Sequence, residues 1–373
     1  MRRVKSIFSV VVIIVLAFIT FALLYIKGVE AKNFAQWANE RNDILSSKLA
    51  ASKENDYEEK ELGFYEKLAE GEDVNILIVG DTIGTGYGST DSSRTFSGRL
   101  KSYLSDEYES LVTVTNVSMK DNTSYAGYVR TMSIRGNLDY DLAIICFGEK
   151  DNADDFSLYY ESVIRAIIRK SPNCSMISML QSTQMNYNEK TQIIEDLSLY
   201  YDIPVADTIS IFNESEEMYL SLTDSGVFPN DSGYKMYFEK LRNIIDINVE
   251  EQTPIPSYKE DPVNKDVLNF TKFKYFSRTE FERLDNLTYI IKTDSLTGIM
   301  GIDYGYQLGD NIVRIYADEQ LITTMEFSTD SGFTQRHILV ASDNCEVQNE
   351  IKVVFETKQQ ADVFNGIAFS SAY

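Results

Sequence analysis

The chain has 373 residues, 43% hydrophobic and 25% charged, a composition typical of a globular protein long enough for two domains. Its formal net charge of −22 argues against nucleic acid as a partner and favours neutral or cationic ligands. Three cysteines without metal-ligand spacing and a single histidine, His337, argue against a disulfide framework and a structural metal site. We therefore expect no metal and no other cofactor.

A basic start followed by a long uncharged segment opens the chain. Arg2, Arg3 and Lys5 precede residues 7–26, an apolar run of 20 residues without a charge. This run is long enough to span a bilayer and longer than the apolar core of a cleaved signal peptide, about 7–15 residues. We predict a signal anchor at residues 1–27, a transmembrane helix that holds a single-pass protein in the cell membrane with its bulk extracytoplasmic. A cleaved signal peptide is the alternative, and it would export the same bulk.

The next two regions differ in their pattern of apolar residues. Residues 28–72 are polar with apolar positions at helical spacing, which predicts a helical stalk. Residues 73–248 alternate between strands and helices, which predicts an α/β domain with a parallel sheet and helices on both faces. The predicted strands are 76–79, 111–117, 142–147, 175–180 and 203–207, and the predicted helices are 96–104, 158–169, 190–201 and 231–245.

The last third of the chain has a period of two. Three prolines and several charges mark residues 249–265 as a linker. The strands predicted after it are 287–291, 296–302, 313–317, 321–327, 337–341, 351–356 and 363–370. They predict an antiparallel β-sandwich over residues 266–373. Its aromatic residues are candidates for a sugar-binding surface, although strand pairing and core packing are simpler roles: Tyr304, Tyr306, Tyr316 and Phe333.

The first predicted strand runs directly into a glycine-rich turn, Gly80-Asp81-Thr82-Ile83-Gly84-Thr85-Gly86. A turn at the carboxyl end of a strand is where α/β domains place functional residues. Three further segments follow in order, at residues 116–124, 147–151 and 223–234. Together the four segments resemble the SGNH (GDSL) hydrolases, whose first motif is Gly-Asp-Ser. The resemblance covers roughly residues 74–247 and implies an SGNH-hydrolase-like fold with a catalytic serine, an oxyanion hole and an aspartate–histidine pair.

All five chemical positions of that family are substituted in this chain. Thr82 stands in place of the serine, and Asp121 and Lys150 stand in place of the glycine and asparagine that donate to the oxyanion. Ser225 and Phe228 stand in place of the catalytic aspartate and histidine. A hydroxyl without a base is a weak nucleophile, and a carboxylate opposes an oxyanion. We therefore expect a pseudoenzyme in which these five positions are vestigial.

Two arrangements would retain activity. Lys150 would act as the base for Thr82, but the nearby Asp121 would keep the lysine charged. A shifted alignment would instead assign the chemistry to Ser89, Ser92 or Asp224. Because Asp121 and Lys150 have opposite charges, we predict that they pair at the mouth of the old site near Thr82. Phe228 is expected against the same pocket.

An SGNH-like domain followed by a sandwich is similar to exported proteins of exopolysaccharide O-acetylation, such as those of the alginate system. The similarity implies a cell-envelope polysaccharide as ligand and a membrane acyltransferase or polysaccharide synthase as protein partner. Three hypotheses remain open. The protein is an inactive glycan-binding or scaffolding component, or an active esterase or O-acetyltransferase with a Thr82–Lys150 dyad, or a structural ectodomain of a membrane complex.

Overall fold

The α/β region forms a five-stranded sheet in the computed structural model, which describes residues 61–136, 139–329 and 335–372. The strands are β1 (Val74–Gly80), β2 (Val112–Asn116), β3 (Leu142–Cys146), β4 (Ser175–Leu180) and β5 (Val205–Asp207). Their order is β2-β1-β3-β4-β5, and every neighbouring pair is parallel. The parallel sheet predicted from the sequence is therefore confirmed.

Helices cover both faces of this sheet. They are α1 (Phe64–Ala69), α2 (Phe96–Glu107), α3 (Ser124–Met132), α4 (Ala153–Lys170), α5 (Glu189–Tyr200), α6 (Thr208–Asn213) and α7 (Asp231–Glu250). Alternate side chains of β1 point to opposite faces. Leu77 and Val79 share a core with α3 and α4, whereas Ile76 and Ile78 share one with α2 and α7. No helix was predicted from the sequence at the position of α3.

The first described helix belongs to the α/β fold. Phe64, Tyr65 and Leu68 of α1 are buried in the core that α7 also lines, so the end of the predicted stalk packs onto this domain. The predicted anchor, residues 1–27, and the stalk up to residue 60 lie outside the described residues. Within the described ranges, no helix has both the length and the apolarity that a membrane crossing requires.

The C-terminal region contains two antiparallel sheets, as predicted. The first has the order β13-β12-β15-β10-β9 and the second β14-β11-β16-β8, and residues of both share one apolar core. Their strands are β8 (Lys272–Ser277), β9 (Glu282–Arg283), β10 (Thr288–Lys292), β11 (Leu296–Tyr306), β12 (Gly309–Ala317), β13 (Gln320–Thr329), β14 (Gln335–Val347), β15 (Glu350–Phe355) and β16 (Phe364–Ser371). Neither β8 nor β9 was predicted from the sequence. A short hairpin, β6 (Thr223–Asp224) with β7 (Phe228–Pro229), belongs to the α/β region.

The two regions are joined by direct contacts within one compact unit, Leu62–Tyr373. Ile338 of β14 is part of the core formed by α3 and α4. The predicted linker also packs on the α/β region, where the Glu161 carboxylate accepts hydrogen bonds from the N–H groups of Val263 (2.7 Å) and Asn264 (2.8 Å). The sandwich is therefore held against the face of the sheet that α3 and α4 cover.

Candidate functional site

The carboxyl ends of β1, β2 and β3 bring the first three motif segments together. Gly80 ends β1 directly beside Cys146 of β3. A Cβ atom at Gly80 would lie 2.3 Å from the Cys146 Sγ and 2.7 Å from the Cys146 carbonyl oxygen. Only glycine fits this approach, and it allows the turn that carries Asp81 and Thr82 to lie against β3.

Asp81 is fully buried and holds this turn to the segments that follow β3 and β4. Its Oδ1 accepts hydrogen bonds from the Ile83 N–H (3.1 Å) and the Gln181 side chain (2.8 Å), and its Oδ2 accepts from the Glu149 N–H (3.3 Å). Burial, followed by the charges of Glu149 and Asp151, raises the pKa of Asp81 well above its usual value. Asp81 therefore acts as a turn-forming residue beneath the site.

Thr82 has no solvent-exposed surface. Its Oγ1 accepts a hydrogen bond of 3.0 Å from the Asp121 N–H, and its carbonyl oxygen accepts one of 2.7 Å from the Thr85 hydroxyl. A nucleophile must meet the carbonyl carbon of its substrate at a distance of roughly 3–3.5 Å. In this conformation no substrate can reach the Thr82 hydroxyl.

Asp121 occupies a backbone conformation that favours glycine, with φ of 55°. This agrees with its alignment to the glycine of the hydrolase motif. Its Oδ1 lies 3.4 Å from the Lys150 Nζ, so the ion pair predicted from the sequence is present. Its Oδ2 accepts a hydrogen bond from the Gln335 side chain of β14. The second motif segment is thus fixed by both the α/β region and the sandwich.

Lys150 has a second carboxylate partner, Glu149, whose Oε1 lies 3.0 Å from Nζ. Burial lowers the pKa of Lys150, but the hydrogen bonds and charges of Glu149 and Asp121 outweigh burial, so the net shift is upward. Lys150 is therefore protonated at neutral pH and unsuited to accept a proton from Thr82. We call Thr82, Asp121, Glu149 and Lys150 the remnant site.

The fourth motif segment forms the β6–β7 hairpin. Ser225 is exposed in its turn, with φ of 54°. Phe228 packs edge-to-face against Tyr87, with ring centroids 5.1 Å apart. The Lys120 Nζ lies 3.7 Å from the centre of the same tyrosine ring. The structure therefore brings Thr82, Asp121 and Lys150 together, and places Phe228 against Tyr87 and Ser225 in solvent.

The candidates from a shifted alignment have structural roles or lie in solvent. Asp231 accepts hydrogen bonds from Ser89 Oγ (2.7 Å) and Thr90 Oγ1 (2.6 Å), and pairs with Arg94 at 3.0 Å. These bonds, those from Thr90 first, lower the pKa of Asp231. Ser89 therefore ties a loop to the start of α7, whereas Ser92 and Asp224 are exposed.

Sequence reasoning missed His337, which the sandwich brings to this region. Its ring stacks on Tyr306 with centroids 4.0 Å apart, and its Nε2 has no hydrogen-bond partner among the described residues. Burial lowers the pKa of His337 to about 4, although the negative charge of Asp121 opposes that shift. A separation of 216 residues along the chain hides this proximity from local motifs.

The aromatic candidates of the sandwich have different surroundings. Tyr304 is fully buried, which is the core role that the sequence analysis gave as simpler. Tyr306 lies between Phe327 and His337 in a stack, and Tyr316 lies under the Lys352 ammonium at 4.8 Å. Phe333 is outside the described residues.

Comparisons with known proteins agree with this geometry. Residues 78–236 match the model of the GDSL-like Lipase/Acylhydrolase family. No curated protein sequence matches the chain. A two-domain esterase active on acetylated mannans, co-crystallised with mannopentaose, is 15% identical with a TM-score of 0.65, over 82% of this chain and 93% of that one.

A second structure of an esterase active on acetylated mannans is 14% identical with a TM-score of 0.65, over 82% of this chain and 94% of that one. The psychrotrophic esterase EstA from Pseudoalteromonas sp. is 16% identical with a TM-score of 0.40, over 48% of this chain and 100% of that one. Residues 78–236 of the α/β region therefore form a domain that matches the GDSL-like lipase/acylhydrolase family model.

Proposed function

We propose that this protein is a membrane-anchored, extracytoplasmic glycan-binding component in which the GDSL-like domain no longer hydrolyses esters. The observation that carries the loss of turnover is Thr82, whose side chain is fully buried and whose hydroxyl is held by the Asp121 N–H. Acyl transfer needs an accessible nucleophile and a base. The carboxylate pairs of Lys150 remove the most direct base.

The choice of a glycan rests on analogy of fold and on charge. The two-domain relative that aligns with 82% of this chain is active on acetylated mannans. The net charge of −22 favours a neutral or cationic polymer over an anionic one. A cell-envelope polysaccharide is therefore the proposed ligand, and a membrane acyltransferase or polysaccharide synthase is the proposed neighbour in the membrane.

The proposed location rests on Arg2, Arg3 and Lys5 followed by the uncharged run at residues 7–26. Protease added to intact cells should remove the bulk of the chain and leave a short membrane-bound fragment. A full-length chain that resists the protease until the cells are lysed would contradict the extracytoplasmic location.

The activity test uses the full-length chain in mild detergent with aryl acetates and acetylated manno-oligosaccharides. Wild type and Thr82→Ala should both release acetate at the rate of buffer, while an active GDSL esterase serves as the positive control. Glycan binding is measured on the same preparation. Binding without turnover supports the proposal, and turnover that Thr82→Ala abolishes overturns it. Absence of both binding and turnover would favour a structural ectodomain.

An active ester hydrolase is the second candidate, and one observation favours it. His337 is neutral near pH 7 because burial lowers its pKa to about 4, and Gln335, two residues before it, donates a hydrogen bond to Asp121 of the remnant site. If a conformational change exposed Thr82, a base from the sandwich would be available. Acetate release that is lost in both Thr82→Ala and His337→Phe would establish this candidate.

A further inference from the structure

A cavity of about 470 Å³ lies between the α/β region and the sandwich. Residues 150–152, Asp155 and Tyr159 line one side of it, and Phe327 with residues 339–343 lines the other. We call this cavity the junction cleft. It begins at Lys150 of the remnant site, and its volume lies within the range of small-molecule sites, about 300–1,000 Å³.

Aromatic and apolar side chains form its walls. Tyr159 is half-buried and packs edge-to-face against Tyr125, with ring centroids 5.3 Å apart. Phe327 is half-buried on the opposite side, next to Leu339. Partly exposed aromatic rings offer apolar contact together with attraction for a cation. A sugar ring fits such walls.

The charges around the cleft are unbalanced. The one lysine that lines it, Lys150, is neutralised by Asp121 and Glu149. Asp155 and Asp343 are exposed at the cleft and form no ion pair or side-chain hydrogen bond with the residues that the structure describes. Asp155 lies in the first turn of α4, where a carboxylate also stabilises a helix. Asp343, within strand β14, has no comparable structural role.

A buried carboxylate supplies an independent observation. Asp151 lines the cleft and is only 7% exposed. Its Oδ1 accepts hydrogen bonds from the N–H (2.8 Å) and hydroxyl (2.6 Å) of Ser124, whereas its Oδ2 has no partner among the described residues. Burial raises the pKa of Asp151, although the bonds from Ser124 and the charge of Lys190 oppose it. The Asp151 carboxylate is therefore a further acidic group in the lining of the cleft.

Tyr159 lines the cleft together with Asp155 and Asp343. Burial raises the pKa of its hydroxyl, and the charges of Asp343 and Asp155 raise it further. The two exposed carboxylates, one from each region of the molecule, line the same cleft as Tyr159, and the charges of both act on its hydroxyl. Such an arrangement concentrates negative potential beside an aromatic ring.

We propose that the junction cleft binds an amine-bearing sugar unit of a glycan, with its ammonium group between Asp155 and Asp343 and its ring against Tyr159 and Phe327. This inference rests on the proposed glycan-binding function and specifies the class of ligand. A free amine distinguishes such a sugar from its N-acetylated form, because acylation removes the charge that the carboxylates attract.

The test is calorimetric titration of the full-length chain in mild detergent with three probes. These are a glucosamine pentamer, an N-acetylglucosamine pentamer and mannopentaose, at low ionic strength and mildly acidic pH, where the amines are protonated. The glucosamine pentamer should bind about tenfold more tightly than either neutral probe, and salt should reduce the difference. Asp343→Asn and Asp155→Asn should each weaken its binding about threefold to tenfold.

Asp106→Asn is the matched control. Asp106 is exposed on α2, which covers the opposite face of the sheet, and its substitution should leave binding unchanged. Equal binding of all three probes, or equal effects of Asp343→Asn and Asp106→Asn, would overturn the amine preference while glycan binding stood. Failure of all three probes to bind would count against both this inference and glycan binding.

Discussion

The remnant site and the junction cleft lie side by side and differ in how their charges are arranged. In the remnant site, Lys150 is paired with Asp121 at 3.4 Å and with Glu149 at 3.0 Å, and Thr82 is buried beneath them. In the cleft, Asp155 and Asp343 are exposed and form no ion pair within the described residues. The first region is closed to a reactant, whereas the second is open to a ligand.

This difference shows which parts of the motif turn the fold itself maintains. Gly80 and Asp81 still build the turn after β1, because they form the close approach to β3 and the hydrogen bonds to Ile83, Gln181 and Glu149. The sandwich supplies the second wall of the junction cleft.

The largest effect is expected from Asn122→Ala, which disconnects the two regions. The Asn122 side chain donates to the carbonyl oxygens of Lys120 (2.8 Å) and Arg336 (2.9 Å) and accepts from the Ile338 N–H (3.0 Å). Leaving these buried groups unpaired should lower the free energy of unfolding by about 2–4 kcal/mol and weaken ligand binding in the cleft. Urea denaturation measures the first effect.

Asn344→Ala is the control for Asn122→Ala. Asn344 is exposed on β14, and its loss should change stability by less than about 0.5 kcal/mol. Equal stability of the two variants would mean that Asn122 does not hold the regions together.

His337→Phe should change how stability depends on pH. The pKa of His337 is about 4 in the folded chain and 6.5 in its unperturbed state, so the unfolded state binds the proton more readily. The neutral His337 ring therefore makes its full contribution to the free energy of unfolding above pH 6.5, and this contribution is lost as the pH falls towards about 4. Wild type should lose about 3 kcal/mol more than His337→Phe over this range, because phenylalanine keeps the stack on Tyr306 but cannot titrate.

Asp81 and Asp151 also make stability depend on pH, in the opposite direction to His337. Both residues are present in wild type and in His337→Phe, so their contributions cancel when the two proteins are compared. Their folded pKa values are raised, so they favour the folded state at low pH. Parallel stability curves for the two proteins would show that His337 is not held neutral.

Lys150→Met should change the stability of the fold very little and increase the affinity of the cleft for its ligand. The Lys150 side chain is 43% exposed, so its ion pairs should contribute less than about 1 kcal/mol to folding. Removing its positive charge should nevertheless strengthen binding of the glucosamine pentamer about twofold to threefold. Lys101→Met, at an exposed position of α2, should leave that affinity unchanged. Weaker binding by Lys150→Met would indicate a ligand that the lysine itself holds.

Tyr125→Phe should have the smallest effect on the free energy of unfolding, and it should stabilise the protein. The Tyr125 hydroxyl is buried without a hydrogen-bond partner among the described residues, and it lies against Gly301 of β11. Its removal should raise the free energy of unfolding by up to about 1 kcal/mol. Tyr128→Phe is the contrast, because that hydroxyl donates to the Phe270 carbonyl oxygen at 3.2 Å, and its loss should cost about 1 kcal/mol. A loss of stability in Tyr125→Phe equal to that in Tyr128→Phe would contradict the absence of a partner.

Local patterns in the sequence were sufficient to predict the parallel sheet, most of its helices and the antiparallel C-terminal region. Each of these depends on the spacing of apolar residues over short distances. The same is true of the turn at Gly80-Asp81-Thr82, which follows a buried strand. The pairing of Asp121 with Lys150 was also predictable, because parallel strands place their carboxyl ends at one edge and the two charges are opposite.

Only the tertiary structure determined what surrounds that edge. The docking of β14 on Asp121 and Asn122, which brings His337 to this edge, depends on how the sandwich packs against α3 and α4. The junction cleft likewise unites Asp155 with Asp343, which are 188 residues apart in the chain. Contacts of this kind arise from the fit of two folded surfaces, and no periodicity within either segment encodes them.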